Sequence, residues 1–202
     1  MPWILDLCSG LGGASQAFED DPIWSVVRVE NNPILSGVAS TRLWDVLEWM
    51  DWLPGLIDEK GVPDLGWASP PCLDFSTAFE APRARAHRAD PLAEYEPDMS
   101  IVEACIDIFQ YIIERSDGDG FFWIIENVHG ACQYFLPELG KHRQKLGPFY
   151  LWGVFPTILL PAGWTHSKAD PLRPNRRALI PLEVSESLLD AISTQSTLAD
   201  WI

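Results

Sequence analysis

Trp3-Ile4-Leu5-Asp6-Leu7-Cys8-Ser9-Gly10-Leu11-Gly12-Gly13-Ala14-Ser15-Gln16-Ala17-Phe18 is the stretch from which the rest of the chain is read. Trp3 to Leu7 is a short apolar run that ends in polar residues, the pattern of a strand buried in a parallel sheet. Ser9 to Gly13 is a glycine turn, and Ala14 to Phe18 continues in helical register. Working outward, Trp24 to Val29 is a second apolar run, ending in Glu30. Pro33 is placed to open a helix. Leu43-Trp44-Asp45 closes a third strand or its loop, and Val46 to Leu53 has the spacing of a short amphipathic helix. Asp64 to Ala68 predicts a fourth strand running into Ser69-Pro70-Pro71-Cys72.

Leu73 to Pro97 has little periodicity and reads as a long loop of the functional kind. Asp98 to Glu114 carries Ile101, Cys105, Ile108, Phe109 and Ile112 at helix spacing. Phe121 to Ile125 predicts a fifth strand, followed by Glu126-Asn127-Val128. Tyr150 to Leu160 reads as late strand pairs and Val184 to Ile192 as a last helix. Strands alternating with helices predict an α/β fold with a mostly parallel sheet and helices on both faces.

The 202 residues suit one domain, 1–202. With 47% hydrophobic and 21% charged residues the composition is globular. No run has the length of a membrane span and the N-terminus lacks the pattern of a secretory signal, so a cytoplasmic protein without membrane partners is expected. Cys8, Cys72, Cys105 and Cys132 form no C-x-x-C pair and no zinc-ligand spacing with His, so neither a metal nor a disulfide framework is expected. The net charge of -15 argues against simple nucleic-acid binding. Two local cationic clusters remain, Arg83, Arg85, His87 and Arg88, and Arg173, Arg176 and Arg177. By charge alone each is most simply a solvated loop.

Functional groups of an open α/β sheet gather at the carboxyl ends of its strands, and four signals fall there. Gly10, Gly12 and Gly13 allow a sharp turn with room for a ligand, though a plain tight turn would look the same. Glu30, at the end of the next strand, can accept ribose hydroxyl hydrogen bonds or stand as a solvated charge. Asp45 can receive an adenine amino group or cap the following helix. In Ser69-Pro70-Pro71-Cys72 two prolines aim one thiol. Arginines in the following loop would lower its pKa, whereas a free cysteine is otherwise a small buried hydrophobe. That plainer reading suits Cys8, Cys105 and Cys132. Glu126, closing an apolar strand, is either a salt-bridged carboxylate or a carboxyl of raised pKa able to donate a proton.

Asp6-Leu7-Cys8-Ser9-Gly10-Leu11-Gly12-Gly13 resembles the first motif of the cytosine-5 DNA methyltransferases. Ser69-Pro70-Pro71-Cys72-Leu73-Asp74-Phe75-Ser76 resembles their catalytic Pro-Cys loop, and Glu126-Asn127-Val128 their Glu-Asn-Val motif. Phe149-Tyr150-Leu151-Trp152-Gly153 and Arg177-Ala178-Leu179-Ile180-Pro181 are similar to segments of short, phage-type members. The resemblance runs from about Leu5 to Ile192, with the motifs in family order. It implies a Rossmann-like methyltransferase fold that takes S-adenosylmethionine as cofactor. It also implies restriction-modification or self-protection as the setting, in a host cytoplasm if the gene is viral.

By the same resemblance, Cys72 adds to C6 of cytosine in DNA, Glu126 engages N3, and C5 accepts the methyl group. Arg176 or Arg177 would lie near the target base. Asp6, Cys8, Gly10, Leu11, Gly12, Gly13, Glu30, Asn31, Asp45, Pro70 and Ser185 would surround the cofactor. Ser76, Arg83, Arg85 and Arg88 would meet DNA, either a duplex with its cytosine flipped out or a single strand. The chain departs from the family where Cys8 replaces the usual Phe and Leu73 the usual Gln. Little sequence separates Arg177 from the last helix, so no separate target-recognition domain is expected and a protein partner could supply specificity. Other readings keep the site but use RNA or a modified group carried by an S-adenosylmethionine analogue. A different class is a non-catalytic module that holds cofactor or partner, and a dinucleotide oxidoreductase is the most distant.

Overall fold

The computed structural model describes residues 1–90, 92, 94–116, 120–166 and 179–199, with side chains through 194. Among the described residues seven strands form one sheet: β1 (Trp3–Leu7), β2 (Ser25–Glu30), β3 (Thr41–Leu43), β4 (Leu65–Ala68), β5 (Phe122–Asn127), β6 (Gln144–Leu146) and β7 (Phe149–Val154). Their order is β3-β2-β1-β4-β5-β7-β6. β1 to β5 pair in parallel, and β7 runs antiparallel to both β5 and β6. The strand order turns back between β1 and β4, which opens a crevice above their carboxyl ends. This is the expected Rossmann-like α/β architecture.

The helices are α1 (Gln16–Asp20), α2 (Trp49–Lys60), α3 (Pro82–Ala89), α4 (Ser100–Ile113), α5 (Cys132–Leu139) and α6 (Leu182–Ala199). Two apolar cores result, one on each sheet face. On one face, Leu53, Leu56, Val102, Cys105, Ile108, Ile112 and Phe135 of α2, α4 and α5 pack on Leu5, Leu7, Val27, Val29 and Ile125. On the other, Phe18 of α1 and Val184, Leu188 and Ile192 of α6 pack on Ile4, Leu65, Trp67, Ile124 and Leu151. The buried positions of α4 recur every three to four residues, which is why that helix is legible in the sequence. Among the described residues no helix is long and apolar enough to cross a membrane.

Several elements differ from expectation. The helix predicted over 46–53 begins as a 3-10 turn at Val46–Glu48 and continues as α2 to Lys60, past Pro54, until Gly61 at φ 80° ends it. The segment at Pro33 is a 3-10 turn of three residues. The long loop after Cys72 contains α3. Its sequence has no apolar stripe, but alternating Arg and Ala are strong helix formers and Pro82 occupies the first turn.

A buried polar group organises the glycine turn. The β1–β2 register sets Asp6 beside Arg28, and both side chains are enclosed. Ser15 Oγ donates to Asp6 Oδ2 at 2.6 Å and accepts from Arg28 Nε at 2.8 Å. Arg28 also donates to the carbonyls of Ala39 and Gly12 and lies 3.4 Å from Glu19. Gly12 has φ 76°, and a Cβ there would strike the Arg28 guanidinium, so glycine is required on both counts. Burial lifts Asp6 to about 6, with Ser15 and Arg28 pulling the other way.

Candidate active site

Each strand end contributes one piece of the crevice. After β1 the chain enters the left-handed region at Cys8 (φ 53°) and again at Gly10 (φ 55°). A non-glycine residue there costs on the order of 1 kcal/mol, a strain typical of functional turns. At the end of β2, Glu30 accepts from the backbone N–H of Gly10 and of Asn32, each at 2.9 Å, and so braces the turn. A cavity of about 120 Å³ lies between Cys8, Glu30, Asn31, Trp44, Ser69 and Ile101. A second, of about 100 Å³, lies between Ser9, Gly10, Leu11, Gly13, Ser69 and Ile180. Cys8 and Ser69 border both. Ser9 Oγ is buried and has no hydrogen-bond partner among the described residues. Trp44 stacks on Trp52, with ring centroids 5.2 Å apart.

The β4–β5 register pairs Ala68 with Ile125, so Ser69 and Glu126 follow side by side. The Ser69 backbone N–H donates to Leu7 O, and its hydroxyl accepts from the Trp67 indole at 2.8 Å. Asn127 donates from Nδ2 to Pro70 O at 3.1 Å, inside the protein, tying the Pro-Pro-Cys loop to β5. Phe75 N–H donates back to Cys72 O in a tight turn. Gly130 lies so close to the Phe75 backbone that a Cβ would collide with its carbonyl. The loop that carries Cys72 is therefore clamped at both ends.

Glu126 is 8% exposed. Burial raises its carboxyl to about 8, opposed only by the Ser69 hydroxyl. The Cys72 thiol is half-buried. It too is raised, first by burial and then by the Glu126 charge, which places the two groups within electrostatic reach. This corrects the expectation that loop arginines lower Cys72. Arg83 instead donates to Gly130 O at 3.3 Å and lies over the Tyr134 ring, and Arg88 donates to Phe79 O at 2.6 Å and lies over the Phe79 ring.

The crevice brings together Cys8, Gly10, Leu11, Gly13, Glu30 and Asn31 with Ser69 and Pro71, next to Cys72 in the chain. Asp6, Gly12, Asp45, Pro70 and Ser185, also expected there, line neither cavity. Asp6 is enclosed in the Ser15–Arg28 group. Ser185 is also enclosed, donating to Ala14 O at 2.7 Å and accepting from Ala17 N at 3.0 Å. Both shape the turn from beneath. Asp45 accepts from Leu47 N at 2.9 Å as a cap and from Asn31 Nδ2 at 3.2 Å. Ser76 Oγ accepts from Ala78 N, and Arg85 is exposed on α3. Arg173, Arg176 and Arg177 lie outside the described residues.

The neighbouring Cys105 thiol and burial push the Cys8 thiol upward. Cys105 is buried and Cys132 half-buried, 4.0 Å from His142 Nδ1. Among the described residues no group of His, Cys, Asp or Glu is arranged to hold a metal. Sequence reasoning assigned no role to Ser69, Trp67, Ser9 or Trp44. Parallel register would have found Ser69, because it places the residue after β4 beside the last residues of β5.

No protein-family model matches the chain, and no curated protein does. Among solved structures, one from E. coli is similar at 18% identity and a TM-score of 0.48. It is of a prophage-encoded protein provisionally described as a DNA modification methyltransferase. The match covers 76% of this chain and 47% of that one, so the chain spans about half its length.

Proposed function

We propose that the chain transfers a methyl group from S-adenosylmethionine to C5 of cytosine in DNA, with Cys72 as nucleophile and Glu126 as acid. The observation that carries this reading is the pairing of a thiol with a buried, proton-holding carboxyl at the ends of neighbouring strands, beside a glycine crevice that holds two small cavities. The lining fits the cofactor's chemistry. Glu30 offers a carboxylate for ribose hydroxyls, Trp44 and Ile101 offer apolar faces for a purine, and the unpartnered Ser9 hydroxyl suits a polar terminus. When bound, S-adenosylmethionine supplies the electrophilic methyl carbon that C5 takes up.

The chain's own residues manage the ring. Cys72, as thiolate, forms a bond to C6. Glu126 gives its proton to N3, so the negative charge that would collect on the ring is discharged as C5 becomes nucleophilic. Loss of the C5 proton to solvent then lets Cys72 leave as thiolate, and the N3 proton returns to Glu126. While Glu126 keeps its proton, the smaller of the two influences that raise Cys72 is absent and burial remains, so the thiol gives its proton to solvent before it attacks. A base must leave the stack to reach this site.

The test is incubation of the full chain with labelled S-adenosylmethionine and cytosine-containing DNA, followed by nucleoside mass spectrometry. Label in 5-methylcytosine is expected. Label only in RNA, or on any other DNA atom, rejects the proposal.

A further inference from the structure

A cleft of about 810 Å³ lies outside the crevice, between the 77–79 loop, α3, residues 94–96 and α5. It is within the range of ligand pockets. Phe79, Tyr95 and Tyr134 give it three aromatic rings, and Arg83 and Arg88 sit over two of them. Phe79 is 70% exposed. Each arginine commits one N–H to a backbone carbonyl, out of the five that a guanidinium carries. Glu94 and Glu96 line the same cleft, so it carries acidic groups as well as the two arginines. The cleft is joined to the reactive loop. Tyr95 OH donates to Asp74 at 3.2 Å, and the Phe75 and Tyr134 rings lie 5.9 Å apart.

We infer that this cleft binds unpaired nucleobases flanking the reacting base, so that the substrate is a single-stranded stretch of DNA. The inference rests on the reading above for its setting but is tested apart from it. Aromatic rings and cations side by side are how single strands are held without sequence reading, because every unpaired base offers a flat face. A paired base in a duplex has both faces covered by its neighbours. Duplex binding also needs a broad cationic surface, and the net charge of this chain is -15.

The probe is fluorescently labelled oligo-dT, which contains no target base, measured by anisotropy with the full chain and compared with a dT·dA duplex of equal length. Oligo-dT is expected to bind more tightly than the duplex. Two arginines meeting phosphates predict a shallow salt slope, roughly -1.4 on logarithmic axes. Phe79→Ala should weaken oligo-dT binding about tenfold, the loss of one stacked base, and Phe79→Trp should restore it. Because the ring is exposed, both variants should melt with the parent. Undetectable oligo-dT binding, preference for the duplex, or equal affinity of Phe79→Ala and parent overturns the inference. If oligo-dT binds through Phe79 while no methyl reaches cytosine, the cleft stands and the proposed function falls. If methyl transfer to duplex DNA is undiminished in Phe79→Ala, the proposed function stands and the cleft assignment falls.

Discussion

Cys72→Ala is expected to abolish transfer, by about 10⁴-fold or more, while S-adenosylmethionine still binds. The size follows from removing a covalent nucleophile, after which only binding and electrostatic effects remain. Cofactor binding should survive, because Cys72 lines neither of the two crevice cavities. The loop should keep its shape, because it is held by Asn127 on Pro70 O, by Gly130 against Phe75 and by the Phe75–Cys72 turn, none of which uses the thiol. Steady-state transfer assays with calorimetric titration of the cofactor check this. A variant that keeps one-tenth of parental activity would remove Cys72 from the chemistry.

Glu126→Gln should separate stability from activity in a pH-dependent way. The folded carboxyl titrates at about 8 against an ordinary value of 4.5, so the native state holds the proton more tightly than the unfolded chain. Between those values the unfolded state binds fewer protons, and stability falls as pH rises through the window, then levels off above it. The full loss is on the order of 5 kcal/mol. Gln cannot ionise, so the variant escapes this loss. Near pH 5 the two should melt together, and at pH 9 the variant should melt roughly 10 °C higher. Asp6, raised to about 6, adds a fall of the same sign at lower pH to both proteins. The variant should also lose transfer, and parental transfer should decline above about pH 8 as Glu126 gives up its proton. Equal melting differences at pH 5 and pH 9 would show that the carboxyl is not held neutral.

The sheet was legible because β1, β2, β4 and β5 are short apolar runs that stop at polar residues, and because α4 repeats its apolar positions at helical spacing. That arrangement also made the crevice predictable, since strand-end residues of a parallel sheet must converge there. Other features depend on partners distant in sequence. Asp6 and Ser185 sit in motif-like positions, and only the fold shows that both are enclosed, Asp6 Oδ2 bonded to Ser15 and Ser185 bonded to Ala14 and Ala17. An arginine inside the apolar run of β2 was the available clue, because a buried guanidinium requires a carboxylate nearby. The direction of the Cys72 shift was unreadable for a similar reason. The loop arginines are close in sequence, yet aromatic rings and carbonyls hold Arg83 and Arg88, while burial and then the charge of Glu126, 54 positions away, raise the thiol. The α3 helix was hidden because it has no buried residue, so no apolar stripe marks it.

The most direct measurement is the intact mass of the protein after incubation with S-adenosylmethionine and an oligodeoxynucleotide carrying 5-fluorocytosine. Fluorine at C5 cannot leave as a proton does, so a ring bonded through C6 stays attached. A one-to-one adduct that survives denaturation, maps to Cys72 and is absent from Cys72→Ala is the predicted result. An adduct that persists in Cys72→Ala, or methyl transfer to cytosine with no adduct in the parent, would contradict it.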